Sequence, residues 1–461
     1  MPAPRRPPPS APFVWNQDAF WENLEREFAV ARQQECPSDI AQRIFALSGN
    51  LAELRSAQAL PSDLGWQSLE TQFFSLAAQI GACPEKQGAL VAYHQELRSS
   101  VKDLSVTWEP SDRTSDHIYR MLYGARMATE ELLLQAPHRA PAWTKGRDEP
   151  SNTPSTMYRG VRIHSGDLLV SRGGAPTSAF ISRGNDHPGN FSHVSIVHVH
   201  ETSKKVSIIE AHIERGVAVS SAQDYFDDTK LRVLVLRPRA DLPALVADPL
   251  LPHRAARHAL EEQARRHIPY DFTMDAQEHS TQFCSEVASS AYEAQGVHLW
   301  SRESTLSAPG LVRWMTLLGV THLSTHLPSD LEYDPRLRVV FEWHDAKVLF
   351  KDHVHNAIVD ALLEAANEGA PFRYNHRLLP VARALKAYSW IANQWGGLGP
   401  IPEGMSATVA LRSEWLKQCS DSLQEKALEK SQSFRRKNDY IPPYWVLVRF
   451  AQDSLQDSAC N

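Results

Sequence analysis

The stretch "HSTQFCSEVASSAY", residues 279–292, decides how the chain is interpreted, because it places one cysteine where a polar turn gives way to a helical run of small residues. A thiol attacks as the thiolate, and a helix N-terminus favours an anion through its free N–H groups. Thr281 is expected to cap this helix and Gly296 to end it. Cys284 is therefore either the nucleophile of an enzyme or a packing residue that opens a helix.

A histidine that could act as the base comes from the strand-like segment "FSHVSIVHVH", residues 191–200. Alternation along a strand puts His193 and Ser195 on one face, and His198 and His200 on the opposite face. His193 therefore cannot share a metal site with the other two histidines of this strand. His198 and His200 could begin a metal site, but no third ligand stands at a suitable spacing, and a solvated or helix-covered face is the simpler interpretation.

A carboxylate that could orient the base follows in "KVSIIEAHI", which is predicted to form a hairpin with the His193 strand through a turn at "ETSKK". A loop of two or four residues puts Glu210 on the face of His193, opposite Ser195 or Val197, whereas an odd loop moves it to the other face. Two-residue loops are the commonest and favour Glu210. His212 shares its face and is the alternative orienting group.

Composition excludes several classes of protein. With 461 residues, 42% of them hydrophobic and 22% charged, the chain suits two or three packed domains. A net charge of −6 argues against a nucleic-acid-binding protein, which needs clustered Lys and Arg. No cofactor and no metal are expected.

The five cysteines are odd in number and far apart, and none forms a C-x-x-C motif. This pattern indicates neither a disulfide framework nor a cysteine zinc site, so a reducing compartment is expected. The first residues lack the apolar core of a secretory signal, and no apolar run approaches the length of a membrane span. A cytoplasmic protein is therefore expected, with export by a specialised route as the alternative.

Periodicity divides the chain into four parts. Residues 1–17 are Pro-rich and predicted to be a disordered tail, and residues 18–140 repeat apolar positions at helical spacing. Residues 155–330 alternate as strands, with a few helices, and predict an α+β domain with an antiparallel sheet. Helical periodicity returns over 340–461. The helical flanks are candidates for binding a protein partner.

Five short motifs now stand in one order: "GDLLVSRGG", "NFSHVSIV", "IIEAHIERGV", "IPYDF" and "FCSEVASSAYEAQGVHLW". Over roughly residues 161–305 this order resembles the circularly permuted NlpC-type papain-fold cysteine hydrolases, the YiiX-like group. In that group the histidine strand precedes the cysteine helix, as His193 precedes Cys284 here. The resemblance implies a permuted papain-like domain between the helical flanks.

The resemblance also implies roles for single residues. Cys284 takes the place of the nucleophile, His193 that of the base, and Glu210 that of the orienting polar residue. Tyr270 and Asp271 match a motif that lines the site.

Two further residues are candidates for contact with the substrate. Asp167 of "GDLL" matches a signature position of the family, although a structural use at the start of a strand is the simpler interpretation. The Gly- and Pro-rich loop before His193 is expected to border the cleft. It carries His187, for which a plain loop histidine is the simpler interpretation.

The implied function is hydrolysis of amide or ester bonds through an acyl-enzyme, as in a peptidase or amidase. Peptides, cell-wall peptides among them, and lipid acyl groups are the candidate substrates. A cysteine acyltransferase or lipid acyl hydrolase that uses the same site is one alternative. A helical interaction protein with a degenerate hydrolase domain is another.

Overall fold

Apolar residues at three- and four-residue spacing fold the first part of the chain into a helical bundle. The computed structural model describes residues 12–13, 18–139, 142–300, 303–395, 397–456 and 460. The bundle helices are α1 (Asp18–Ala31), α2 (Ile40–Ser56), α3 (Leu64–Gly81), α4 (Gln87–Leu104), α5 (Asp112–Tyr119) and α6 (Ala125–Gln135). Their inward faces form a core of their own around Trp66, Phe73 and Leu97. The helical prediction for this region is confirmed.

An antiparallel sheet of seven strands, within the described residues, forms the centre of the protein, and its order is β1-β11-β8-β4-β5-β6-β7. The strands are β1 (Trp143–Lys145), β2 (Ser155–Tyr158), β3 (Val161–His164), β4 (Leu168–Gly173), β5 (His193–Val199), β6 (Val206–His212), β7 (Gly216–Ser221), β8 (Lys230–Pro238), β9 (Ser304–Thr305), β10 (Ser324–Thr325) and β11 (Leu337–His344). Two small sheets of two strands each, β2–β3 and β9–β10, lie outside the large sheet. Because β1 pairs with β11, the sheet reaches beyond 155–330 at both ends.

Helices cover the sheet and complete the predicted α+β domain. They are α7 (Pro176–Arg183), α8 (Ala222–Asp227), α9 (Pro243–Ala247), α10 (Leu251–Arg265), α11 (Cys284–Glu293), α12 (Pro309–Leu318) and α13 (Asp330–Tyr333). Small residues such as Ala255 and Ala288 let α10 and α11 lie close against Val194 and Ile196 of β5. The β2–β3 hairpin and α8 cover the opposite face. Burial on both faces explains why the central strands are almost continuously apolar.

The C-terminal region is helical, as predicted: α14 (Ala346–Asn367), α15 (Leu379–Gln394), α16 (Ala407–Asn438) and α17 (Tyr444–Gln456). Its core is shared with the central domain, since Phe180 of α7 and Trp314 of α12 belong to the same cluster as Ile358 of α14 and Leu423 of α16. The flank is therefore built onto the domain that carries the sheet.

Buried ion pairs join the three regions. Nη2 of Arg232, on β8, lies 2.6 Å from Oδ2 of Asp352 on α14 and 2.9 Å from Oε2 of Glu130 on α6. Nε of Arg172, on β4, lies 3.0 Å from Oδ1 of the same Asp352. All four side chains are at most 2% exposed. Removing one partner would leave an uncompensated charge away from water, so the network ties both flanks to the sheet.

The sequence-based interpretation of the cysteines is wrong. Cys36 is bonded to Cys83, and Cys419 is bonded to Cys460, which leaves Cys284 as the free thiol. The partners are separated by 47 and 41 residues, so helix packing brings them together and sequence spacing alone does not reveal them. Disulfides persist in oxidising surroundings. The argument for a reducing compartment therefore loses its basis.

Two expectations concern the ends and the surface of the chain. The predicted tail, 1–17, lies outside the described residues except for 12 and 13, where the N–H of Phe13 donates to the carbonyl of Asp186 at 2.8 Å. None of the helices in the described part of the chain combines the length and the apolar character that a membrane crossing needs.

Candidate active site

The β5–β6 hairpin places Glu210 beside His193. Ser195 pairs with Glu210 across the two strands, and the N–H of His200 donates to the carbonyl of Lys205, so four residues form the turn. The even loop puts the carboxylate on the histidine's face, which confirms the predicted register. Nε2 of His193 lies 2.7 Å from Oε2 of Glu210.

Cys284 is the first residue of α11, and its side chain is 5% exposed. The prediction that Thr281 caps this helix is wrong, because Phe283 occupies the N-cap position with an extended backbone. The Glu286 carboxylate accepts the N–H of Phe283 at 2.8 Å and fixes the entry into the helix in place of a side-chain cap. The thiol thus stands where orphan N–H groups and the helix dipole favour a negative charge.

Cys284 lies close enough to His193 to raise the pKa of the imidazole, and both side chains line the same cleft. Because Glu210 binds Nε2 of His193, Nδ1 is the ring nitrogen left to face the thiol. Sγ of Cys284 also lies 3.8 Å from the carbonyl oxygen of Ser192. The carboxylate is therefore hydrogen-bonded to the imidazole, and the thiol stands beside the imidazole at the start of α11.

His193 and Glu210 stabilise each other's charged forms. Burial alone would lower the pKa of His193, but its interactions with Cys284 and Glu210 outweigh burial and raise that pKa to about 9. Burial likewise raises the pKa of Glu210, but hydrogen bonds from His193 and His212 outweigh it and hold the pKa well below its ordinary range. At neutral pH the histidine is therefore held as imidazolium beside an ionised Glu210.

Glu210 has two further partners. The Ser220 hydroxyl donates to Oε1 at 2.8 Å, and Nε2 of His212 lies 3.2 Å from the same oxygen. His212, the alternative orienting group, thus contacts the carboxylate rather than replacing it. Ser220 was not predicted as a site residue. The alternation of "GVAVSS" is the signal that could have found it, since it shares a face with Ala218, the strand partner of Glu210.

The thiol and imidazole open into a cleft of about 880 Å³. Besides Glu210, six charged side chains lie along its walls: Glu214, Arg215, Asp224, Asp228, Lys230 and Lys351. Tyr270 lines the same cleft, as the sequence predicted. Backbone hydrogen bonds from Asp271 to Gln282 and from Gln282 to Pro269 hold this tyrosine next to the start of α11.

Asp271 itself supports the loop and does not line the cleft. Its carboxylate accepts the N–H and hydroxyl of Thr273, at 2.7 and 2.6 Å, and the N–H of Asp275 at 2.8 Å. Every oxygen is therefore used within the turn, so the side chain that approaches the substrate space is that of its neighbour, Tyr270.

Two other predicted substrate contacts lie away from the cleft. Asp167 accepts two hydrogen bonds from Arg237, at 2.8 and 2.9 Å, and one from the N–H of His164, which explains its place at the start of a strand. His187 lies 2.8 Å from Asp116 of α5, because its loop docks against the helical bundle. The structure brings neither residue to Cys284.

Of the two histidines on the far face of β5, His198 is buried under a helix and His200 is exposed. The ring of His198 stacks on that of His253, on α10, with centroids 5.2 Å apart. Among the described residues, Cys36, Cys83 and Glu85 have ligand atoms close enough to hold an ion, but both sulfurs belong to the first disulfide.

Comparison with known protein families agrees with this geometry. Residues 162–341 match the family model of the permuted papain-like amidase enzymes, YaeF/YiiX, C92 family. The resemblance found in the sequence is confirmed, as is the fold: a permuted papain-like domain with an antiparallel sheet and helical flanks. At the level of this family, the match indicates a cysteine-type hydrolase or amidase.

A solved structure also matches: the metalloprotein YiiX from Escherichia coli O157:H7, at 21% sequence identity and a TM-score of 0.30. The match covers 39% of this chain and 97% of that one. A search of curated proteins finds no match to this chain.

Proposed function

We propose that this protein hydrolyses amide or ester bonds through Cys284, His193 and Glu210. The observation that carries the proposal is the hydrogen-bonded His193–Glu210 pair in one wide cleft with the Cys284 thiol, which stands at a helix N-terminus. A nucleophile, a base and a group that orients the base are the three parts that cysteine catalysis requires.

In the proposed mechanism Cys284 and His193 rest as thiolate and imidazolium. The thiolate attacks the carbonyl carbon, and the backbone N–H of Cys284, at the start of α11, helps to stabilise the oxyanion. His193 then gives its proton to the leaving amine or alcohol and next accepts one from water. Water attacks the thioester, releases the acid and restores the thiol. Glu210 keeps the imidazole oriented and favours its charged form throughout.

The cleft favours hydrolysis over acyl transfer. A dry and apolar cleft would suit transfer to a lipid or protein acceptor, because it would keep water from the thioester. Here, besides Glu210, six charged side chains line the walls, which supports a cleft that water enters. A degenerate interaction domain is disfavoured too, because Cys284, His193 and Glu210 are all present in one cleft and the last two are hydrogen-bonded.

The disulfides bear on where this reaction takes place. Two disulfides and one free cysteine, the nucleophile, suit an oxidising compartment. Substrates outside the cytoplasm, such as cell-wall peptides and the lipids of a membrane surface, therefore fit the proposal better than cytoplasmic ones.

The test is a panel of acyl amides, acyl esters and short peptides, assayed with the wild type and with Cys284→Ala. We expect the wild type to release product from at least one class and the variant to release none, with unchanged circular dichroism. Cys284→Ser is the matched control, because it replaces the thiol by a hydroxyl nucleophile in the same space. Turnover by Cys284→Ala at the wild-type rate would refute the proposal.

A further inference from the structure

Helix α15 carries a stripe of exposed apolar side chains. The stripe consists of Leu378, Val381, Leu385, Tyr388, Ile391 and Trp395, spaced by three or four residues, and each is between 41% and 87% exposed. Such spacing puts all six on one side of a helix. A continuous apolar surface of this kind marks an interaction site on a soluble protein.

The helix is anchored by its other side, so the stripe is not an unpacked core. Ala382 and Ser389 are buried at 4% and 0% exposure. The Ser389 hydroxyl accepts the N–H of Ile401 at 3.0 Å, and Nζ of Lys386 donates to the carbonyl of Pro402 at 2.9 Å. The outward face is therefore presented by a helix that already has its packing partners.

The charge around the stripe is one-sided. Residues 370–402 contain Arg373, Arg377, Arg383 and Lys386 and no aspartate or glutamate, in a chain whose net charge is −6. The three arginines are exposed. Apolar and aromatic side chains beside clustered positive charge match an anionic lipid surface, which takes up both kinds of group. Two copies of this face would repel each other, so it does not suit a symmetric dimer.

The stripe is continuous with the cleft. Leu398, three residues beyond Trp395, is 55% exposed and also lines the cleft that holds Cys284. The segment that follows lies against the loop before α11, where Nε2 of His267 is 2.9 Å from Oε2 of Glu403. A surface that binds the stripe would therefore lie next to the mouth of the cleft.

We propose that the α15 stripe and its basic residues dock on an anionic lipid bilayer and present the cleft to substrates held at that surface. Docking itself depends only on the stripe, whereas the choice of membrane-held substrates rests on the proposed hydrolase function. The helix lies on the bilayer: Tyr388 and Trp395 enter the headgroup region while Arg377, next to the first residue of the stripe, contacts lipid phosphates.

The test is co-sedimentation of the full-length Cys284→Ala protein with vesicles, since this variant cannot alter the lipids. We expect binding to vesicles of phosphatidylglycerol and phosphatidylcholine in equal amounts, weaker binding at high salt, and little binding to pure phosphatidylcholine. Adding Tyr388→Ser and Trp395→Ser should weaken binding by about tenfold or more, because two large apolar groups leave the interface. Phe45→Ser is the matched control, because Phe45 is 81% exposed on the N-terminal bundle.

Two results would overturn docking: no binding to the anionic vesicles, or binding that the serine variants leave unchanged. Light scattering that shows a dimer, lost in the same variants, would instead assign the stripe to a second copy and also refute the proposal. The two proposals fail separately. Turnover of soluble substrates without vesicle binding contradicts docking alone, whereas vesicle binding by a protein without any turnover contradicts the hydrolase function alone.

Discussion

His193 and Glu210 lie on neighbouring antiparallel strands with Nε2 and Oε2 2.7 Å apart, and the carboxylate is 2% exposed. This contact links the shape of the sheet to the chemistry of the cleft, because the hairpin register decides which carboxylate the imidazole meets. Ser220 and His212 complete the carboxylate's hydrogen bonds. A histidine held in this way keeps one nitrogen on Glu210 and offers the other to the thiol.

Glu210→Gln should lower kcat/KM by about 100-fold or more, since the amide cannot stabilise the imidazolium that the mechanism needs. The measurement is initial rate against substrate concentration for a substrate that the wild type turns over. Ser220→Ala is the control: it removes one hydrogen bond and leaves the charge, so a loss of less than about tenfold is expected. A Glu210→Gln enzyme with near wild-type kcat/KM would show that the carboxylate has no part in turnover.

The rate should fall as the pH rises through about 9, where the pKa of His193 lies. Above that pH the imidazole is neutral and cannot protonate the leaving group. The folded-state pKa is raised above the ordinary 6.5. The stability that this group contributes is therefore fully present below pH 6.5 and is lost as the pH rises through about 9. A pH–rate profile checks the predicted fall in rate, and a fall centred near pH 6.5 would contradict it.

Tyr270→Phe tests whether the tyrosine acts on the substrate. Burial and the nearby Cys284 raise the pKa of Tyr270 well above 10, so its hydroxyl keeps its proton and can donate. If it donates to the oxyanion, its loss should lower kcat by about 100-fold while KM changes little. Unchanged kcat with a raised KM would assign the residue to substrate binding only.

Asp352→Asn should destabilise the protein by about 3–5 kcal/mol, because it leaves Arg172 and Arg232 short of a buried negative charge. Urea unfolding followed by fluorescence measures the free energy of unfolding. Asp227→Asn is the matched control: Asp227 pairs with Arg159 at the surface, where the two side chains are 53% and 46% exposed, and less than about 1 kcal/mol is expected. Equal losses in both variants would contradict the structural role of the buried network.

Much of this account was predictable from local pattern. Strand alternation and an even loop are enough to put Glu210 beside His193. The helix of small residues that begins at Cys284 is also predictable from the sequence. Helical spacing likewise predicted both flanks. These features depend on residues close together in the chain, whose periodicity carries the information.

The parts that were missed depend on contacts between distant segments. The Cys36–Cys83 pair forms because two helices pack, and nothing in the spacing of the cysteines reveals it. Asp167 and His187 lie at the strand start and in the loop where they were expected. Asp167 binds Arg237 and His187 binds Asp116, and both partners are distant in sequence and outside the cleft. The strand Leu337–His344 fell outside the predicted 155–330 domain because its partners in the sheet lie far away in sequence.

The central claim is that Cys284 is a nucleophile activated by His193, and intact-protein mass spectrometry after a brief exposure to a slowly hydrolysed acyl ester tests it most directly. Cys284 is the free cysteine, so a single acyl adduct is expected on the oxidised protein, mapped to the peptide that begins α11. His193→Ala should reduce its rate of formation by about 100-fold or more. Acylation at another residue, or an adduct that forms equally fast without His193, would contradict the account.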